Sequence, residues 1–598
     1  MSGLVAAWFK AQSADPGTVD RMLAASPHRG TCVRALSHGQ TVLAASEVDG
    51  YGEASTARCG PIAVAICGVL DNAADIRQAT SRAGHRPNGP TDAAIVAAAW
   101  AAWGDDAATR LRGTYSVAVS DGEQLFCFRD HIGYRGLFHH EGEEATYVAS
   151  EIKQVAAGAN LPMTPNLEVV GQIFYGDYDD DTPTAVQGVR RLPKAAVLTC
   201  GATGTTVKRY WRPERLIETA RLSQDEIQEG FDHAMDQAVR RCLGQEPSVI
   251  SLSGGIDSPV VASYAAPAHH ELTGRPLPAL SIVAPRYPSV DESHYIRDVV
   301  AYLGIAPWHT YEQRVRSVEG LGRWVALCDG PPGTITMNEL EEHYLQARSH
   351  GYRNIITGEF AEFVVDRPEG LLVHLMVHGR LRALSDRIAL ERAHGRPRHR
   401  ILRELTGVVV PQRVIAQRQR RHDRMGWVRP EWLDEDRVAA SWQRVATAPR
   451  SRWRERQTSF LRGPGLSLEA AEIVQAHVGV RVRRPWLDVD LAEFLLSLPA
   501  EIKYAERLRK PLARSLARGR VPDRILDRRD KTVFNESMQA RLDYDELKRW
   551  LLVTDIELPG VDYGLLRQRL EEQEMSLSEY RWARDLAAAH AFLETCGA

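Results

Sequence analysis

One six-residue stretch constrains this chain more than any other: Ser253-Gly254-Gly255-Ile256-Asp257-Ser258. It follows the apolar run Ser248 to Leu252 and precedes Pro259 to Ala266, which reads as a helix. Glycines at a strand-to-helix turn let the backbone approach a ligand closely, and a helix N-terminus offers unpaired N–H groups with positive dipole. Such a turn is a cradle for phosphate. It is not a P-loop, because it lacks two spaced glycines followed by lysine. The hydroxyls of Ser253 and Ser258 can donate to phosphate oxygens, and Asp257 can hold Mg2+ against them. A turn that merely reversed the chain would not need strand, glycines and helix in this order.

The flanking sequence divides at the segment Arg209-Tyr210-Trp211-Arg212-Pro213. Before it, short β-like runs alternate with Gly and Asp turns: Ile62 to Leu70, Tyr115 to Val119, Leu125 to Phe128. One helix-like segment, Ala93 to Trp103, sits among them, a texture that predicts layered sheets. After the divide, Ser223 with Glu226 forms a capping-box signature, followed by Ile227, Phe231, Ala234, Ala238 and Cys242 at helical spacing. Strands and helices then alternate through Ala279 to Val283 and Ser293 to Leu303, which predicts a parallel sheet wrapped by helices. Helices dominate from about residue 370. At 598 residues the chain needs more than one core. The expected division is 1–212, a linker at 213–222, and 223–598.

A second acidic site, Thr357-Gly358-Glu359-Phe360-Ala361-Glu362-Phe363, follows the apolar strand Asn354 to Ile356. Two carboxylates facing a triphosphate would repel it without a metal ion, so paired acids here imply Mg2+, unless they only cap a loop. Late in the chain stand Arg484-Pro485-Trp486-Leu487-Asp488 and Arg529-Asp530-Lys531. Lys531 lies in an Arg-rich stretch and reads either as a catalytic cation or as part of a solvated basic face. Arg484 has a structural reading, as a lock on the Pro-Trp-Leu-Asp turn.

These segments, in this order, resemble the landmarks of the asparagine synthetase family. Leu111-Arg112-Gly113, Arg129-Asp130 with Gly133, and Ala149-Ser150-Glu151-Ile152-Lys153 resemble its glutaminase half. The resemblance implies an N-terminal-nucleophile-like αββα sandwich, then an α/β parallel-sheet ATP-pyrophosphatase domain rich in helices. It implies ATP as the energy source, split to AMP and pyrophosphate as a carboxylate is adenylated. By the same resemblance Ser251, Leu252, Ser253, Gly254, Gly255, Asp257, Ser258, Val283, Thr357, Gly358 and Arg529 hold ATP or pyrophosphate. Asp257 and Glu362 hold the metal, and Glu359 and Lys531 are catalytic. Phe360 and Phe363 depart from the family, standing where it has a glycine and an acid.

The first half departs further. Glutamine-dependent members begin Met-Cys-Gly, whereas this chain reads Met1-Ser2-Gly3-Leu4. The family's Asn-Gly-Glu is replaced by Cys67-Gly68-Val69, and only Arg29 and Asp92 stand as remnants of a glutamine pocket. The expectation is an inactive glutaminase kept as a scaffold, and a nucleophile other than ammonia. Members with that profile include β-lactam and carbapenam synthetases and the macrolactam-forming cyclases of lasso peptide biosynthesis. The β-lactam enzymes carry a tyrosine at the Glu359 position. Chain length and the helical region after residue 370 resemble a lasso cyclase, which implies a short precursor peptide as substrate and leader-processing proteins as partners. A synthetase acting on a small amino acid, and a non-catalytic scaffold, are the alternatives.

Composition narrows the rest. A formal charge of -3 gives no global pull toward nucleic acid. Acidic residues such as Asp386, Glu391, Glu404 and Asp423 interrupt the Arg-rich stretch Arg380 to Arg424, which favours solvated helices or a peptide groove over nucleic acid. The eight cysteines show no CxxC pair and read as reduced thiols. The longest apolar run, Ala93 to Trp103, is short of the roughly 20 residues that cross a bilayer. With no signal-peptide pattern at the N-terminus, the expectation is a cytoplasmic protein.

Overall fold

The computed structural model describes residues 2–597 apart from 11–14, 49–50, 176–181, 407–426, 428–451, 463–464, 506–508, 530–531, 533–534, 554–555, 559–560 and positions 245, 335, 367 and 394. Two six-stranded antiparallel sheets build the first half. In one, Ser2–Phe9 lies between Thr41–Glu47 and Ala145–Ala149; in the other, Gly113–Ser120 lies between Leu125–Arg129 and Ile62–Leu70. Ser2–Phe9 is buried on both faces, which is why it shows no polar alternation. Leu4, Ala6 and Trp8 meet Ala63, Ala65 and Cys67 between the sheets. Val5, Ala7 and Phe9 face the other way, against the helices Pro16–Ala24 and Ile152–Ala159. The helices Ala73–Arg82 and Asp92–Trp103 cover the second sheet. The layers run helix, sheet, sheet, helix.

Sequence patterning exposed only one helix of this half, because Asp92–Trp103 is Ala-rich and capped by Thr91. The helices Pro16–Ala24, Ala73–Arg82, Ile152–Ala159 and Leu167–Tyr175 were not anticipated. Each is ten residues or shorter, too brief for a helical period to stand out.

The second half opens with the helix Gln224–Cys242, whose Ser223 and Glu226 form the expected capping box. A five-stranded parallel sheet follows, ordered Trp308–Tyr311, Ala279–Ile282, Ser248–Ser251, Asn354–Thr357, Arg481–Arg483. The first strand in sequence lies in the middle: the chain adds Ala279–Ile282 and Trp308–Tyr311 on one side, then crosses back to add Asn354–Thr357 and Arg481–Arg483 on the other. The carboxyl ends of Ser248–Ser251 and Asn354–Thr357 are therefore the switch point, the place where open parallel sheets bind ligands. C-terminal helices, including Tyr544–Leu552 and Leu577–Thr595, return to the first half and share a core with Val5, Ala7 and Val19. Among the described residues no helix is long and apolar enough to cross a membrane.

Candidate active site

Both motifs singled out by the sequence emerge at that switch point. Ser251 ends its strand, Leu252 N donates to Leu280 O at 3.0 Å, and the chain turns into the helix Asp257–Thr273. No side chain caps this helix, so its N-terminal dipole faces the turn. The Ser258 hydroxyl accepts from Ser253 N at 2.9 Å and lies 3.0 Å from the Ser253 hydroxyl, which pulls the turn closed. Gly254 N donates to Glu292 at 3.1 Å, and a side chain at Gly254 would strike Glu292. Arg528, buried, donates to both Gly254 O at 2.9 Å and Glu292 at 2.7 Å. Val283, half-buried at the end of the neighbouring strand, donates its N–H to Tyr311 O at 3.0 Å.

Gly358 brings the second loop against the first. A Cβ there would lie 2.3 Å from Ser258 N, so only glycine lets the end of Asn354–Thr357 pack on the start of the Asp257 helix. Phe360 then adopts the left-handed region at φ 69°, uncommon for a bulky residue, and starts the short helix Ala361–Val365 that carries Glu362. One oxygen of Asp257 pairs with Lys510, while Oδ1 is buried with no hydrogen-bond partner. Burial raises the Asp257 pKa, the Lys510 ammonium opposes that, and Glu362 and Asp366 raise it further. Glu362 therefore stands within electrostatic reach of Asp257. An unpartnered carboxylate oxygen beside further carboxylates fits a hard divalent cation. Among the described residues no cluster of three or more side-chain ligands occurs, and Mg2+ commonly takes one or two carboxylates with phosphate oxygens and water.

Glu359 is half exposed just past the end of Asn354–Thr357, with Arg484 Nε donating to it at 2.8 Å. Thr357 Oγ1 lies 3.4 Å from the same carboxylate. Arg484 holds the Pro-Trp-Leu-Asp turn through its backbone, whose carbonyl accepts from Leu487 N at 2.9 Å, while its side chain serves Glu359. That turn is also held by Asp488, which caps the helix Val489–Ser497, and by Trp486 Nε1, which donates to Asp257 O at 3.3 Å.

Lys531 lies outside the described residues, and Arg529 is exposed beside the inward Arg528. The cation that touches Asp257 is Lys510, which sequence reasoning missed. It sits inside a basic run, and its only local signal is the following Pro511 that starts a helix. Lys510 holds a left-handed backbone conformation at φ 57°, which turns the chain just before that helix.

In the first half Ser2 is buried, accepting from Cys67 Sγ at 2.9 Å and donating to Glu53 at 3.0 Å. Burial pushes the Cys67 thiol up, so it is a donor rather than a thiolate. Arg29 is enclosed by acids of this chain. It pairs with Glu151 and donates through Nη1 and Nη2, each at 2.8 Å, to Glu472 from the second half. Asp92 accepts from Leu70 N at 3.0 Å. A cavity of about 50 Å³ between the halves is lined by Arg29, Glu151, Arg191, Asp329, Glu469 and Glu472.

The asparagine synthase family model matches residues 230–593, and the glutamine amidotransferase domain model matches residues 1–211. Among curated relatives, an asparagine synthetase of Bacillus subtilis is 28% identical over 220 residues, 36% of this chain and 35% of its own length. The amidase chry2 of Gibberella zeae is 30% identical over 181 residues, 29% of this chain and 26% of its own. The chain thus spans about a third or less of the curated relatives it matches. Of solved structures, a glutamine phosphoribosylpyrophosphate amidotransferase from B. subtilis aligns at 14% identity with a TM-score of 0.26, covering 60% of this chain and 81% of that one.

Proposed function

Because the chain belongs to the asparagine synthase family, we propose that it is an ATP-dependent carbon–nitrogen ligase that adenylates a carboxylate and then forms an amide. The observation that carries this reading is the convergence of the Ser253–Ser258 turn, the Asp257–Lys510 pair and the exposed Glu359 at one switch point. In this reading the serine hydroxyls and the helix dipole hold the departing pyrophosphate. Lys510 offsets the negative charge that builds as the carboxylate oxygen bonds to the α-phosphorus. Asp257 and Glu362 would hold Mg2+, which supplies charge neutralisation on the phosphates. Glu359 accepts a proton from the amine that attacks the acyl carbon, and AMP leaves.

The amine comes from something other than glutamine. Ser2 replaces cysteine, and Arg29, the arginine of the expected glutamine pocket, is saturated by Glu151 and Glu472. We extend the reading to a lasso peptide cyclase, in which the α-amine of a short precursor attacks its own adenylated Glu or Asp side chain. A stacked, half-buried group beside Glu359, Phe360, Phe363 and Phe460, supports a carboxylate carried on an apolar peptide. Leader-processing proteins would then act alongside. The asparagine synthetases among the relatives favour a second reading, a small amino-acid substrate. Incubation with ATP, Mg2+ and either free aspartate with ammonium or Asp- and Glu-bearing peptides, read by mass spectrometry, separates the two. A peptide that loses one water supports the cyclase reading, and asparagine formed from aspartate overturns it.

A further inference from the structure

Arg484 is a buried cation serving an exposed acid. Its side chain is 1% exposed, while that of Glu359, its hydrogen-bond partner, is 40% exposed. The Nη2 of Arg484 has no hydrogen-bond partner, so the Nε bond and the nearby Tyr344 hydroxyl leave part of the cost of burying this charge unmet. Ring faces account for more of it. The guanidinium carbon lies 5.5 Å from the ring centre of Phe360 and 5.9 Å from that of Tyr134, within range of cation–π attraction.

Phe360 belongs to the same loop as Glu359, but Tyr134 comes from the other half of the chain. It stands on a turn built by the Asp130 carboxylate, which accepts from Ile132 N at 3.0 Å, Gly133 N at 2.7 Å and Tyr134 N at 3.1 Å. Arg129, donating to Gly133 O at 2.6 Å and to Glu469 at 3.0 Å, ties that turn to the second half. The Arg-Asp-x-x-Gly segment thus ends by placing an aromatic ring on the arginine that holds Glu359.

We propose that Tyr134 and Phe360 hold Arg484 so that it positions Glu359, making the first half a structural part of the synthetase site. The proposal rests on the ligase reading and assigns Arg484 and Tyr134 as positioning residues for its second step. There the amine nitrogen bonds to the acyl carbon, the bond from acyl carbon to the AMP oxygen breaks, and one N–H proton passes to Glu359. A Glu359 free to swing toward solvent would lose that proton transfer while leaving adenylation intact. The retention of a half that has lost its own chemistry then has a specific cause.

The test compares wild type with Tyr134→Ala, Tyr134→Phe, Arg484→Met and Arg484→Lys. Carboxylate donors are free aspartate and a panel of Asp- and Glu-bearing peptides, and acceptors are ammonia, the peptide amines or hydroxylamine. Hydroxylamine is already neutral near pH 7 and needs little help from a base. Tyr134→Ala and Arg484→Met should lower amide formation by about 100-fold or more, the lower range of general-base effects, while hydroxamate formation and pyrophosphate exchange stay within a few-fold of wild type. Tyr134→Phe should be close to wild type, and Arg484→Lys should recover part of the loss. Equal loss of exchange, hydroxamate and amide, or no loss at all, overturns the proposal. A wild type that shows no exchange with any donor counts against the ligase reading. A crystal structure of Tyr134→Ala still decides the positioning role: Arg484 displaced from Glu359 supports it, and an unmoved pair overturns it.

Discussion

Asp257 carries two demands at once, since one carboxylate oxygen pairs with Lys510 and the other is left without a protein donor. Removing either partner leaves a half-buried charge uncompensated beside the phosphate turn, so both should be needed for adenylation. Asp257→Ala and Lys510→Met are expected to lower pyrophosphate exchange by about 100-fold or more with circular dichroism unchanged. Near wild-type exchange in Lys510→Met would return the catalytic role to Lys531. A different lysine makes a prediction about pH. Lys503 is fully buried, its Nζ has no hydrogen-bond partner, and burial lowers its pKa to about 7, with Glu218 only partly opposing. A folded-state pKa below the unfolded value means the unfolded chain binds more protons between the two, so this group's contribution to stability rises from pH 7 toward pH 10. Lys503→Met should therefore raise the melting temperature most at pH 7 and below, and the gain should shrink as pH rises. A gain that is constant across pH 6 to 10 would contradict the assignment.

At the scale of elements, much of the site was legible because its chemistry is local. The turn Ser253–Ser258, its flanking strand and helix, and the capping box of Ser223 are each written in a few adjacent residues. What the sequence did not disclose depends on contacts between distant segments. Lys510 reaches Asp257 across more than two hundred and fifty residues, and inside a basic run nothing marks it out. The same holds for Arg484, whose role depends on a glutamate and a ring from one distant loop and a second ring from the other half of the chain. The left-handed turn at Phe360 is likewise imposed by packing and not by residue type. Gly358 is the point where element packing can be tested. In Gly358→Ala the added methyl must push the Glu359 loop off the Asp257 helix, and ATP affinity measured by calorimetry should fall about 10-fold or more, since even a small displacement of positioning groups is costly. Unchanged affinity would mean the two loops need not meet for nucleotide to bind.

The whole molecule is tied together by charge as well as by apolar packing. Glu472 and Glu469, both on the helix Leu466–Val478, enter the first half and meet Arg29 and Arg135, and Arg129 and Arg191, respectively. Arg481 returns the contact by donating to Glu53 at 2.7 Å, and Glu53 in turn holds Ser2. All these acids are buried, and the arginines hold Glu53, Glu469 and Glu472 below the usual carboxylate range. Buried ion pairs of this kind favour one arrangement of the halves more than they add stability, because breaking any pair strands a charge. Arg29, which the ligase reading takes as a remnant of a glutamine pocket, is thus paired with acids of the chain itself. Purified protein is expected to release no glutamate from glutamine, and Ser2→Ala is expected to leave amide formation unchanged. Glutamate release that vanishes in Ser2→Ala would instead show a working serine glutaminase.

How ATP is cleaved tests the ligase reading most directly. In the proposed reading the Ser253–Ser258 turn holds pyrophosphate, with Lys510 and Asp257 beside it, so the α–β phosphoanhydride bond breaks as the acyl-adenylate forms. Chromatography of the nucleotide products, run with Mg2+ and an accepted carboxylate and amine, reads this directly. AMP and pyrophosphate in equal amounts, matched by amide formed, is the predicted result, and stoichiometric ADP with inorganic phosphate would contradict it.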